Sequence, residues 1–145
     1  MGYPDLMSEI HGKVLSIHDV APAPAPCIEG VDWRPLRDEL GVTAFGMNAY
    51  VGSEPGQVVV EPHDEVDTGH EEVYAVIAGS ARFKLDGQTF DVAAPGFVKP
   101  DSPAVQREAH AIEGGTIVLA VGTTPGKPFE VSEWEARQHA LGREA

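Results

Sequence analysis

Basic residues are scarce in this chain. Its 145 residues hold 10 lysines and arginines against 23 aspartates and glutamates, a formal net charge of −13. A field of that sign repels phosphate backbones and anionic lipid surfaces, so neither nucleic acid nor a membrane surface is an expected partner. Cysteine is nearly absent: Cys27 stands alone, so no internal disulfide can form and no Cys/His zinc pattern exists. No apolar run approaches the ~20 residues of a membrane span, and the N-terminus lacks a basic-then-apolar leader pattern. A nucleophile elbow, a phosphate-binding glycine loop and a catalytic-triad signature are also missing. These absences predict a soluble, cytoplasmic protein.

What is present is β texture. Apolar residues make up 42% of the chain, and the length suits one domain spanning 1–145. Lys13–His18 reads as a strand, followed by an extended Ala/Pro connector over Ala21–Pro26. Asp32–Leu40 reads as a short helix or turn ended by Gly41. Strands are predicted over Thr43–Val51, Gln57–Pro62, Val73–Ile77, Val105–Ala109 and Thr116–Gly122, with Gly46 a bulge or close-approach position. Arg82–Val92 is a hairpin: Asp86-Gly87 favours a two-residue type I′ turn, and Phe83 and Leu85 alternate with Arg82 and Lys84. Ser132 and Glu135 have the spacing of a capping box, so a helix should cover about 132–142. Many short strands with Gly/Pro turns mean a sandwich or barrel.

The stretch Pro55–Gly79 (PGQVVVEPHDEVDTGHEEVYAVIAG) places a histidine and several carboxylates at the end of one apolar strand and runs into a second. Its order of Gly56, His63, Glu65, Glu72 and Gly79 resembles the first sequence motif of the cupin superfamily, a Gly, a His-x-His pair, a Glu and a Gly. Gly96, Ser102, Ala104 and Arg107 fall in register with the second motif. In an alternative register Val66 and Thr68 take the His-x-His places. The resemblance covers about residues 43–121. It implies an all-β, double-stranded β-helix (jelly-roll) barrel, with residues 1–40 an extension before it and a short helix after it.

The resemblance also implies a site. A typical cupin holds one divalent metal with three His and one Glu. Here His63 and Glu72 match, Glu65 stands at the second His place, and Arg107 stands at the last. Arginine has no lone pair for a metal, so Arg107 is expected to act as counter-ion to the carboxylates, pairing most readily with Glu72. His63 and Glu72 are the catalytic candidates. Arg107, Tyr74 and Glu65 are candidate substrate contacts, with Arg107 suited to an anionic group. If a metal binds (Zn, Mn, Fe or Ni), its ligands would be His63, Glu65 and Glu72, with His70 either a substitute ligand or an inert loop residue. Glu61, Asp64, Asp67 and Glu71 read as a solvated loop face. Three functions stay open: a small-molecule enzyme of oxygenase, isomerase or cyclase type; a metal-free, non-catalytic ligand-binding or regulatory cupin; and a structural barrel with a decayed site. The resemblance implies a homodimer through sheet edges, with the N-terminal strand available for pairing.

Overall fold

The computed structural model describes residues 10–23 and 30–144. Cys27 and part of the Ala21–Pro26 connector lie outside the described residues. The elements are β1 (Trp33–Arg34), α1 (Leu36–Leu40), β2 (Gly46–Gly52), β3 (Val58–His63), β4 (Glu71–Ala78), β5 (Ser80–Leu85), β6 (Gln88–Ala93), β7 (Gly96–Val98), β8 (Arg107–Ala111), β9 (Thr116–Thr123) and α2 (Glu133–Glu144). They form two antiparallel sheets, ordered β1-β2-β9-β4-β7 and β3-β8-β5-β6. This is the expected jelly roll with a C-terminal helix. No helix among the described residues is long and apolar enough to cross a membrane.

The core lies between the sheets. Val59, Val60, Tyr74, Val76, Phe83 and Val118 are fully buried there. A second, smaller cluster of Val20, Leu36 and Ala49 covers the outer face of β2, with Met47 and Leu119 packed against it. β2 is therefore covered on both faces, which explains its unbroken run of buried residues from Ala49 to Gly52. The β5–β6 hairpin turns through Asp86 (φ 45°) and Gly87 (φ 87°), the pair of positive φ angles that a type I′ turn demands.

Two expectations need correction. Lys13–His18 is not a strand: Ile17–Asp19 is a 3-10 turn, capped by Ser16, whose Oγ accepts from the His18 amide at 3.2 Å. A serine hydroxyl that satisfies a local amide competes with sheet pairing, and Val14 remains 41% exposed. This segment is therefore not the strand that the sequence predicts. The second correction concerns the capping box. Ser132 Oγ accepts from the Glu135 amide at 3.1 Å, but the Glu135 side chain does not return to the cap. It turns inward to Arg37 and Asn48 instead. Trp134, one residue earlier, packs edge-on against Trp33, with ring centroids 4.5 Å apart. Together these contacts fasten α2 to the barrel.

Candidate functional site

Strand alternation builds the site. Glu61 and His63 share one face of β3, and Glu65 follows just beyond the strand end. Glu72 and Tyr74 share a face of β4, which belongs to the other sheet. Arg107 on β8 is the cross-strand partner of His63. The cluster therefore straddles the two sheets.

Hydrogen bonds fix it tightly. His63 Nδ1 lies 2.7 Å from the Glu61 carbonyl oxygen, and Nε2 lies 3.1 Å from Glu65 Oε1 and 3.8 Å from Glu72 Oε1. Thr68 Oγ1 donates to Glu65 Oε2 at 2.6 Å. The Tyr74 hydroxyl donates to Glu72 Oε1 and lies 3.5 Å from His63 Nε2. Arg107 Nη1 reaches the same Glu72 oxygen at 3.4 Å.

The charges follow from these contacts. Burial works against a charged His63, but hydrogen bonds to Glu65 and Glu72 and the nearby Glu61 charge outweigh it. They hold the imidazole pKa up to about 10, so it is an imidazolium at neutral pH, donating from both nitrogens. Burial likewise opposes a charged Glu65, yet its bonds from His63 and Thr68 win and keep it below the usual carboxylate range. Glu61 goes the other way, because burial raises its pKa more than His63 lowers it. Burial and the Glu72 charge push the Tyr74 phenol well up, so it stays a donor.

The cluster lies on the wall of a cavity of about 730 Å³ between the sheets and α2. His63, Glu65 and Glu72 line it. Tyr74 does not, being buried behind Glu72. Arg107 does not line it either. It is 1% exposed, and its Nε and Nη2 donate to the carbonyls of Val105, Ser102 and Pro103 at 3.0 to 3.4 Å. It meets Glu72, as the sequence suggests, but offers no free edge to an anion. His70 lines the cavity with its ring 5.8 Å from Phe129, outside the cluster of ligating atoms.

Several residues escaped the sequence reading. Glu61 is a cavity residue, not part of a solvated loop; its place two residues before His63 on one strand was the available signal. Asn48 and Tyr50 reach the cavity from β2 by the same alternation. Trp134 and Glu135 reach it from α2, which nothing in the sequence tied to the barrel mouth. Gly46 leaves room at this wall: a Cβ there would stand 3.3 Å from the Phe129 ring.

The donor set suits one divalent ion in type and spacing. His63 Nε2, a Glu65 oxygen and a Glu72 oxygen lie within 4.8 Å of one another. The bond from Nδ1 to the Glu61 carbonyl would leave Nε2 as the liganding nitrogen once its proton is lost.

No family model matches the chain, and no curated protein matches it significantly. Solved structures do match. A cupin protein from Bacteroides fragilis is 17% identical, covering 85% of this chain and 92% of its own, with a TM-score of 0.59. A sugar phosphate isomerase of the cupin superfamily from Silicibacter pomeroyi is 15% identical, covering 78% and 77%, also at 0.59. A predicted oxalate decarboxylase from Thermotoga maritima is 19% identical, covering 76% and 97%, at 0.55. With its two antiparallel sheets closed around a cluster at the expected motif positions, the chain adopts the cupin fold.

Proposed function

We propose that the protein is a cupin-type enzyme that relocates a proton on a small polar substrate in this cavity. One observation carries the reading. An imidazolium and carboxylates of opposite charge, His63 beside Glu65 and Glu72, meet on a single cavity wall. Glu72, held in one orientation by Tyr74 and Arg107, is the base that takes a proton from carbon beside a carbonyl. His63 is the acid that gives its Nε2 proton to the carbonyl oxygen, and Glu65 orients the imidazole and the substrate's polar group. Glu72 then returns its proton to the former carbonyl carbon while a hydroxyl on the neighbouring carbon gives its proton back to His63, which re-forms the carbonyl one carbon along and restores both residues. A divalent Zn, Mn, Fe or Ni ion held by His63, Glu65 and Glu72 would polarise the same oxygen as a Lewis acid.

The sugar phosphate isomerase of similar fold makes this reaction class coherent. Its anionic substrate does not carry over, because Arg107 is turned from the cavity and the walls are acidic. The test is proton exchange in D2O, followed by NMR on a panel of carbonyl compounds. Washout of one C–H signal is expected, slowed roughly 100-fold or more in His63→Ala and Glu72→Gln. Washout that is indifferent to both substitutions sinks the assignment. Binding without washout on any compound favours the alternative, a metal-free ligand-binding cupin. The commitment of Arg107 to backbone carbonyls, where the family's fourth metal ligand would lie, supports that alternative.

A further inference from the structure

The cavity wall is predominantly acidic. Seven of its lining residues are carboxylates, and Arg137 is the one arginine or lysine among them. Glu65, Glu72 and Glu135 have basic partners in His63, Arg107 and Arg37. Asp64, Asp67 and Glu133 have no ion pair among the described residues. Two further acceptors, Asn48 Oδ1 and Glu61 Oε2, are buried without a hydrogen-bond partner among the described residues, and both residues line the cavity. The Asn48 amide is oriented by its Nδ2, which donates to Glu135 Oε1 at 3.2 Å, so its carbonyl end is the one left without a partner. Aromatic rings complete the wall: Trp33, Tyr50, Phe129 and Trp134. One of them, Phe129, already takes the Arg37 guanidinium over its face at 5.9 Å.

From this combination we infer that the ligand is a small organic cation, an amine or guanidine on an apolar stem. The inference rests on the reading of the cavity as a substrate site. Ammonium and guanidinium groups carry donors and no acceptors, so they meet Asn48 Oδ1 and Glu61 Oε2 without adding lone pairs to a wall already full of them. The apolar stem lies on the aromatic side, where a cation also gains from the ring faces. A neutral polyol brings as many acceptors as donors. A phosphate or carboxylate brings acceptors and a like charge, into a cavity whose walls focus the −13 field of the chain.

The experiment is calorimetric titration of the full chain at low salt with agmatine, 1,4-butanediol and glucose 6-phosphate as probes. Agmatine should bind one equivalent at least roughly tenfold more tightly than either comparator and weaken as salt is added. Glu61→Gln should lose roughly tenfold, and the exposed Asp67→Asn a smaller factor, each with folding checked by its melting temperature. The Asp67 variant and the unmodified chain decide the matter if Glu61→Gln folds poorly. Equal or tighter binding of the diol or the phosphate overturns the inference. So does absence of agmatine binding at millimolar concentration, or an unchanged affinity in a folded Glu61→Gln. Amine binding without C–H exchange leaves this inference standing and removes the catalytic one. Exchange on a neutral or anionic compound, with no amine bound, does the reverse.

Discussion

Glu135 on α2 and Arg37 on α1 form a buried ion pair in which Nε and Nη2 approach one oxygen, Oε2, at 2.7 and 2.6 Å. Glu135 also accepts from Asn48 at 3.2 Å and lies 3.1 Å from His139 Nε2. Three residues, Arg37, Asn48 and His139, thus converge on one carboxylate that is 5% exposed. Glu135→Ala should cost about 3 kcal/mol, because it leaves the Arg37 charge buried and unpaired. Urea unfolding would measure this. A loss below about 0.5 kcal/mol, the size of an ordinary surface change, would mean that α2 is not fastened by this pair.

Arg107 should prove the more severe site. Its guanidinium meets Glu72 and three backbone carbonyls in a place sealed from water. Arg107→Ala should destabilise by about 3–5 kcal/mol, leaving Glu72 without its cation and the Ser102–Val105 turn without its donor. Arg107→Lys should restore less than half of that, since an ammonium cannot reproduce the planar fork. Full rescue by lysine would mean that charge alone matters there.

Stability should fall in alkaline solution. His63 has a folded pKa of about 10 against an ordinary value of 6.5. Its contribution is fully present below pH 6.5 and is lost as pH rises through 10, on the order of 3 kcal/mol in all. Glu61, also raised, acts with the same sign, its contribution lost as pH rises through its folded pKa. Glu65 and Glu135, held low, act oppositely, so their contribution is lost as pH falls through their folded pKa values. The maximum should therefore lie in weakly acidic solution. Urea midpoints across the pH range would show the alkaline slope, and His63→Gln should flatten it. A level profile between neutrality and pH 10 contradicts the assignment.

Metal affinity should be weak in the native chain. A divalent ion must displace a proton that His63 holds up to about pH 10, and it must do so beside Arg107. Arg107→His removes a positive charge and adds a nitrogen, and should raise affinity for Zn, Ni or Mn by roughly tenfold or more at about pH 7.5. Calorimetry on both proteins decides. Tight one-to-one binding by the native chain would mean that Arg107 does not oppose the cation.

The strands were legible because each carries its own alternation and its own turn. Asp86-Gly87 dictates its hairpin locally, and His63, Glu65 and Glu72 come together although the Glu65-to-Glu72 gap is longer than the motif's. Two other features depend on distant partners. The destination of the Glu135 side chain was set by Arg37, 98 positions away, which no local pattern encodes. The orientation of Arg107 was decided by carbonyls of the turn before it, which satisfied its donors and drew it out of the cavity. Glu61 looked like a loop acid because charged neighbours surround it in sequence, although its strand parity already pointed inward.

Because His63 comes from one sheet and Glu72 from the other, the site is also a seam. A molecule gripped by both would rivet the sheets together, and it would have to be released before they could part. Occupancy should therefore appear as resistance to melting, by about 2.7 kcal/mol at a concentration 100 times the dissociation constant. Heat denaturation of the unmodified chain in the presence of small amines would thus serve as a direct search for its natural ligand.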